Sequence, residues 1–252
     1  MTLLTGVFVL FSVLVTAVIS GILGMAGGMV LMGILVWTLQ VREAMMLHAT
    51  AQFFSNASRA YIHRTNIDFK SLKYYLTGMV LSFVVISLFT FLPSKALVFG
   101  MLGIGPFIPQ IFRGRVKFDF TKPKHAFFCG LAITCMQLMA GVSGAALSMF
   151  FQDIDMTRHE VVATKAFTQS ISHVTKLFYF GLIVPHAHSV TGLPLWIYFA
   201  VIPAAMLGAN IGKFILNKLT DGQFYKATQI VLWVLGAVYL GKAALLLVQR
   251  HA

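Results

Sequence analysis

Two stretches of an otherwise apolar chain carry polar groups at a spacing that suits anion binding. His48, Gln52, Ser55, Asn56 and Arg59 form one set, and Lys165, Gln169, Ser172, His173 and Lys176 the other. Intervals of three and four residues put each set on one face of a helix. Amide and hydroxyl groups donate hydrogen bonds without adding negative charge. Together, Gln52, Gln169, Ser55, Ser172, Asn56 and Thr168 can replace the hydration shell of an oxyanion. The alternative for the two glutamines is hydrogen bonding between helices. Lys165 contributes a cation about two turns into its helix. It has no acidic residue one turn away, since Glu160 is five positions back. A charge at membrane depth is costly unless it faces a cavity or a partner. An anion is such a partner; snorkelling to the interface is the competing reading. His48 and His173 could couple the site to protons, although a lone histidine is more often a packing residue. Arg59 and Lys176, near the ends of their helices, read as interfacial anchors as readily as steering groups.

A glycine cluster precedes each polar set. Gly21, Gly24, Gly27 and Gly28 fall in the first, and Gly141, Ser143 and Gly144 in the run Gly141-Val142-Ser143-Gly144. Glycines weaken a helix interior and let it unwind, which exposes backbone N–H groups to an anion. Close packing of helices through small residues is the alternative. The clusters and polar sets repeat together. Aligning Glu43 with Glu160, an offset of 117, brings Gly24 onto Gly141, Gly27 onto Gly144, Gln52 onto Gln169 and Ser55 onto Ser172. At the same offset His48 meets Lys165, Ala26 meets Ser143 and Arg59 meets Lys176. Identities are few, but they fall on the glycines and the polar face, where chance apolar similarity would not place them. The candidate substrate-binding residues are Gly24, Ala26, Gly27, Gly28, His48, Gln52, Ser55, Asn56, Gly141, Ser143, Gly144, Lys165, Gln169, Ser172 and His173.

The elements that must position these groups are transmembrane helices. The 252 residues are 58% hydrophobic and 10% charged, against about 25% charged in a soluble domain. Apolar runs recur along nearly the whole length and allow roughly seven or eight passes of about 20 residues. The expected helices are 6–39, 41–63, 73–92, 95–112, 125–151, 158–183, 194–216 and 224–248. The first and fifth are glycine-broken. The fold class is thus an all-α polytopic bundle of two repeats, 1–116 and 117–252. The net charge of +12 comes mostly from loop lysines and arginines that orient the chain, and nucleic acid is not an expected partner. Loops 59–73 and 113–125 read as cytoplasmic. The 184–194 loop lacks Lys and Arg while 213–226 has three lysines, so the charge bias moves between halves. Inverted repeats produce that shift if each half crosses an odd number of times, with one re-entrant or half-spanning segment per half. Eight plain crossings with parallel halves are the alternative.

Cys129 and Cys135 have neither metal-site nor disulfide spacing. Met25, Met29, Met32, Met45 and Met46 read as packing residues. No cofactor or metal is expected, and no P-loop appears. The first apolar stretch lacks a basic leader and reads as a helix rather than a cleaved signal.

The glycine run 21–28, its echo at 141–144, the polar helix after each and the basic central loop resemble the sulfite exporter TauE/SafE family of membrane permeases. Nearly the full chain is covered, but a proline expected soon after the first glycine run is missing. The resemblance implies a secondary transporter for sulfite, an organosulfonate or a related anion in a prokaryotic inner membrane. Its partners would be the anion and the bilayer, with a homodimer left open. Two other readings compete. One is an anion channel. The other is a rhomboid-like serine protease with Ser143 as nucleophile and His173 as base, against which Ala26 stands at the repeat position of Ser143.

Overall fold

The computed structural model describes residues 2–23, 25–112, 116–152, 154–184, 193–216, 218 and 221–251, and contains no strand among them. The helices are α1 (Leu3–Leu23), α2 (Met25–Thr38), α3 (Val41–Ile62), α4 (Phe69–Leu88), α5 (Lys95–Ile104), α6 (Ile108–Phe112), α7 (Pro123–Ala140), α8 (Gly144–Met149), α9 (Arg158–Phe178), α10 (Leu195–Leu216) and α11 (Asp221–His251). Five segments are long and apolar enough to cross a membrane: Leu3–Leu23, Phe69–Leu88, Lys95–Phe112, Leu195–Ile215 and Lys226–Gln249. The polar-faced α3 and α9 fall below that hydropathy because of the residues that drew notice in the sequence.

Local chemistry explains most boundaries. Asp68 accepts from the N–H groups of Lys70 and Ser71, which starts α4 four residues before the expected position 73. Thr157 and Glu160 cap α9 reciprocally, the exchange that gives a helix start two satisfied donors. The expected helix 95–112 is interrupted, because a 3-10 turn at Gly105–Phe107 carries Pro106 between α5 and α6. At its far end α9 widens into a π-helical stretch, Tyr179–Ile183.

The helices associate in four pairs: α1 with α10, α4 with α7, α3 with α9 and α5 with α11. The first two pairs are glycine seams. A methyl group at Gly78 would strike the Phe127 carbonyl and one at Gly130 the Tyr75 carbonyl, while Gly208 lies on Ala17 and Gly212 on Gly21. Backbones this close leave no room for any side chain in the seam.

Contacts also fix direction. His63 lies on His159 at one end of the α3–α9 pair, while Arg42 donates to the Gly181 carbonyl at the other, so these helices are antiparallel. The end holding His63 collects Arg64, Lys70, Lys73, Lys122, Lys124 and Arg158; it is called the basic end below, and the opposite one the far end. The hairpin α7–α8 enters and leaves at the basic end, since the Phe120 N–H before it donates to the Phe150 carbonyl after it (3.0 Å). The hairpin α1–α2 opens the other way. Leu14 and Ala17 meet Gly208 while Gly21 meets Gly212, so α1 runs parallel to α10 from the far end. Then α2 returns to bring Trp37 under Lys242.

Candidate functional site

A cavity of about 930 Å³ runs inward from the basic end to the middle of the bundle. Its mouth carries Arg59 at the end of α3, Gln110, Gln152 and Gln229. Its wall carries Gln52, Asn56, Ser148, Lys165 and Gln169, and its floor Gly28, His48, Gln137, Ser143 and His173. Among the described residues, no lining residue is Asp or Glu.

Of the residues singled out in the sequence, Gly28, His48, Gln52, Asn56, Ser143, Gly144, Lys165, Gln169 and His173 therefore share one cavity. Five others lie outside its wall. Ala26 is wholly buried, and Gly27 sits on the backbone of Thr16 and Ser20 in the α1–α2 hairpin. Ser55 is buried on α3. Gly141 forms the turn after α7 with φ 78°, a conformation that favours glycine. Ser172 Oγ donates to the Thr168 carbonyl and accepts from Tyr75 Oη at 2.8 Å. Gly24 lies outside the described residues.

The glutamines occupy matching places. Gln52 lies over Gly28, and Gln169 lies over Gly144. A side chain at either glycine would meet the amide, so the small residues leave both amides room against the hairpins. The helix after the second turn, α8, is six residues long. That is too short for a strong macrodipole, so the donors here are side chains. Lys165 Nζ donates to Ser148 Oγ at 2.8 Å and meets no carboxylate within ion-pair distance among the described residues.

Below the wall a buried network joins the helices. The Gly28 carbonyl can only accept, so His48 Nε2 carries a proton toward it at 3.0 Å. The His48 Nδ1 lone pair then accepts from Lys176 Nζ at 3.1 Å, and Lys176 also donates to the Gly141 carbonyl at 2.9 Å. His173 lies beside His48, with ring centroids 5.6 Å apart. Its Nδ1 accepts from the Gln137 amide at 2.9 Å, while Ser143 Oγ donates to Gln137 Oε1 at 2.9 Å. That leaves the Nε2–H of a neutral His173 as a donor on a ring that lines the cavity. Gln137 thus stands between Ser143 and His173, and the direct nucleophile–base contact that serine chemistry requires is not made.

Two members of this network differ from the sequence reading. Lys176 was expected near a helix end, as an interfacial anchor as readily as a steering group. It is instead 0% exposed, because α3 and the α7–α8 turn pack over it and take its hydrogen bonds. Gln137 was not singled out. The available signal was an amide in the apolar run of α7, at the repeat position of Ser20, which also lines the cavity.

Outside the membrane-spanning helices, burial pushes the Asp119 carboxyl up, but the hydroxyl and N–H of Thr121, with Lys122 and His125, outweigh it and hold the group below its ordinary value. This loop closes the α7–α8 hairpin at the basic end.

These features define a multi-pass helical membrane protein that encloses a cavity lined, among the described residues, by cations and neutral donors. Residues 9–239 match the family model described as Sulfite exporter TauE/SafE, and the chain belongs to that family. Membership makes it a membrane transporter of sulfur anions. No curated protein and no solved structure gives a significant match.

Proposed function

We propose that the protein is a carrier for sulfite, an organosulfonate or a related sulfur oxyanion in a prokaryotic inner membrane, working by alternating access between halves 1–116 and 117–252 of inverted topology. The observation that carries the reading is the cavity wall, where Lys165 and Arg59 stand among neutral donors, with no carboxylate among the described residues. An anion there is hydrogen-bonded by Gln52, Asn56, Gln169 and the His173 Nε2–H in place of water.

The helix pairing supports inversion. Exchange of the halves takes α1 to α7, α2 to α8, α3 to α9, α4 to α10 and α5 to α11. The α1–α10 seam then becomes the α4–α7 seam, while the α3–α9 and α5–α11 pairs map onto themselves. One hairpin opens to each end, as a two-fold axis in the membrane plane requires. Each half then crosses three times, beside one re-entrant hairpin. With the basic end in the cytoplasm, the cavity is open inward, the side from which an exporter loads.

Thermal-shift titration of the purified protein with sulfite, sulfate, thiosulfate, taurine and sulfoacetate registers binding through linkage. Lys165→Ala, Gln52→Ala and Gln169→Ala each remove a hydrogen bond to a charged ligand. Such a bond contributes about 1.5–3 kcal/mol, so affinity should fall by about tenfold or more in each. Wild-type affinity in all three would sink the site. Saturable counterflow in liposomes marks a carrier, and ohmic currents would favour the channel instead.

A further inference from the structure

Lys176 is wholly buried and ties four elements together below the cavity floor. From α9 its Nζ reaches the Gly141 carbonyl at the α7–α8 turn and His48 on α3. Through the other nitrogen of His48 the link extends to the Gly28 carbonyl of α2. These elements must part if the far end is to open, so the contact acts as a clasp on that end. It needs no anion to close, because the amine donates to a neutral imidazole lone pair and a carbonyl oxygen.

The repeat supplies a counterpart. At offset 117 Lys176 corresponds to Arg59, and His48 to Lys165. Both counterparts line the open cavity, and the antiparallel register of α3 and α9, with His63 on His159 and Arg42 on Gly181, sets them at about the same level. The two pairs differ in one respect. At the far end a lysine amine donates to a neutral histidine; at the basic end a cation would meet a second cation. Like charges brought together away from water repel strongly. An anion between them reverses the sign of the interaction, and the planar guanidinium can take two oxygens of one oxyanion while the ammonium takes a third.

We propose that Arg59 and Lys165 form the carrier's second clasp, which closes the basic end only over an anion held between them, whereas the Lys176–His48 clasp closes the far end without one. The inference rests on the inverted alternating-access reading above. It makes Arg59 an anion-binding residue rather than an anchor. It also favours an oxyanion with charge spread over several oxygens. After release at the far end the emptied basic-end clasp repels itself open, which returns the carrier to its loading side.

The test uses the full chain in lipid nanodiscs with Cys129→Ala and Cys135→Ala, and Val184→Cys as reporter. Val184 is 2% exposed on the far side, so its alkylation by a hydrophilic maleimide reports opening of that end. Sulfate is the probe, since it does not react with the label. In the parent, labelling should be slow without anion and faster with sulfate. Lys165→His copies the neutral partner of the far-end clasp, so anion-free labelling should rise by about tenfold and sulfate should add little. Lys165→Met and Arg59→Met remove the same repulsion and serve where the histidine variant does not fold. Arg59→Lys keeps the charge and should keep the response to sulfate. Anion-free labelling of Lys165→His and both methionine variants at the parent rate overturns the proposal, as does parent labelling indifferent to sulfate. Sulfur-anion binding by thermal shift in the same samples separates that failure from failure of the transport reading.

Discussion

The α4–α7 seam sets where Gln137 and Gly141 stand, and Gly130→Ala tests it. A methyl group at Gly130 would fall on the Tyr75 carbonyl oxygen, 2.8 Å from its carbon and 2.9 Å from the Met79 nitrogen. All three are backbone atoms in a helix and cannot rotate away, so the helices must separate by about 1 Å along a face whose attraction decays over that distance. Overpacking of this kind costs about 1–3 kcal/mol, and backbone contact on every side argues for the upper figure. Alanine recovers about 1 kcal/mol of helix propensity, which leaves a net loss of about 2 kcal/mol. Gly241 is the control, because nothing lies within 4 Å of a methyl group there. Gly241→Ala should therefore gain about 1 kcal/mol from propensity alone. The two substitutions should differ by about 3 kcal/mol, more than a hundredfold in the folded-to-unfolded ratio. Equilibrium unfolding in mixed micelles measures both. Gly208→Ala, on the α1–α10 seam, should behave like Gly130→Ala if the seams are equivalent. Equal shifts for Gly130→Ala and Gly241→Ala would refute the close-contact argument.

Gln137→Leu orphans His173 Nδ1 and the Ser143 hydroxyl, each at about 1–3 kcal/mol. Stability and sulfate affinity should fall together, and by more than in Ser143→Ala, which leaves the amide–imidazole bond intact; the reverse order on titration would contradict the network. Tyr75→Phe and Ser172→Ala, combined in a double-mutant cycle, should show a coupling of about 1 kcal/mol across α4 and α9, and additive unfolding energies would mean the 2.8 Å contact contributes nothing. The hydroxyl of Thr157, and then its N–H, hold the Glu160 carboxyl below the ordinary carboxylate range. That depression stabilises the start of α9 above the unfolded-state value and is lost as pH falls through the folded one. Protection factors of the first amides of α9 should drop on acidification in the wild type and stay flat in Glu160→Gln.

Much of the site was legible because its groups are out of place in an apolar chain. Gln52, Gln169 and Lys165 stand on helix faces where lipid-facing residues would be leucine or phenylalanine, and the offset of 117 ties them together. Lys176 was misread because the groups that enclose it, His48 of α3 and the Gly141 carbonyl, come from other elements and leave no mark on the sequence of α9. Gln137 has only Thr134 as a polar neighbour one turn away in α7, and its partners come from the next turn and from α9. The interruption at Pro106 was invisible for the opposite reason: proline within an apolar run is common in membrane helices, where surrounding helices satisfy the freed groups. Ser172 was expected among the substrate-binding residues, but its hydroxyl is taken up by Tyr75 of α4 and the Thr168 carbonyl, and no periodicity within α9 points to that partner.

The exchange of partners between halves has a consequence for how the chain is made. The seam partner of α7 is α4, already synthesised when α7 emerges. The partner of α1 is α10, near the other end of the sequence. During synthesis α1 must wait in the bilayer with its seam glycine, Gly21, facing lipid until α10 arrives. Its mean hydropathy of 2.5 and freedom from charge make that wait tolerable. Closure of the α1–α10 seam is then a late step of assembly, followed only by the docking of α11 on α5, and a ribosome that stops before α10 leaves a first half whose α1 lacks its seam partner, a ready target for membrane quality control.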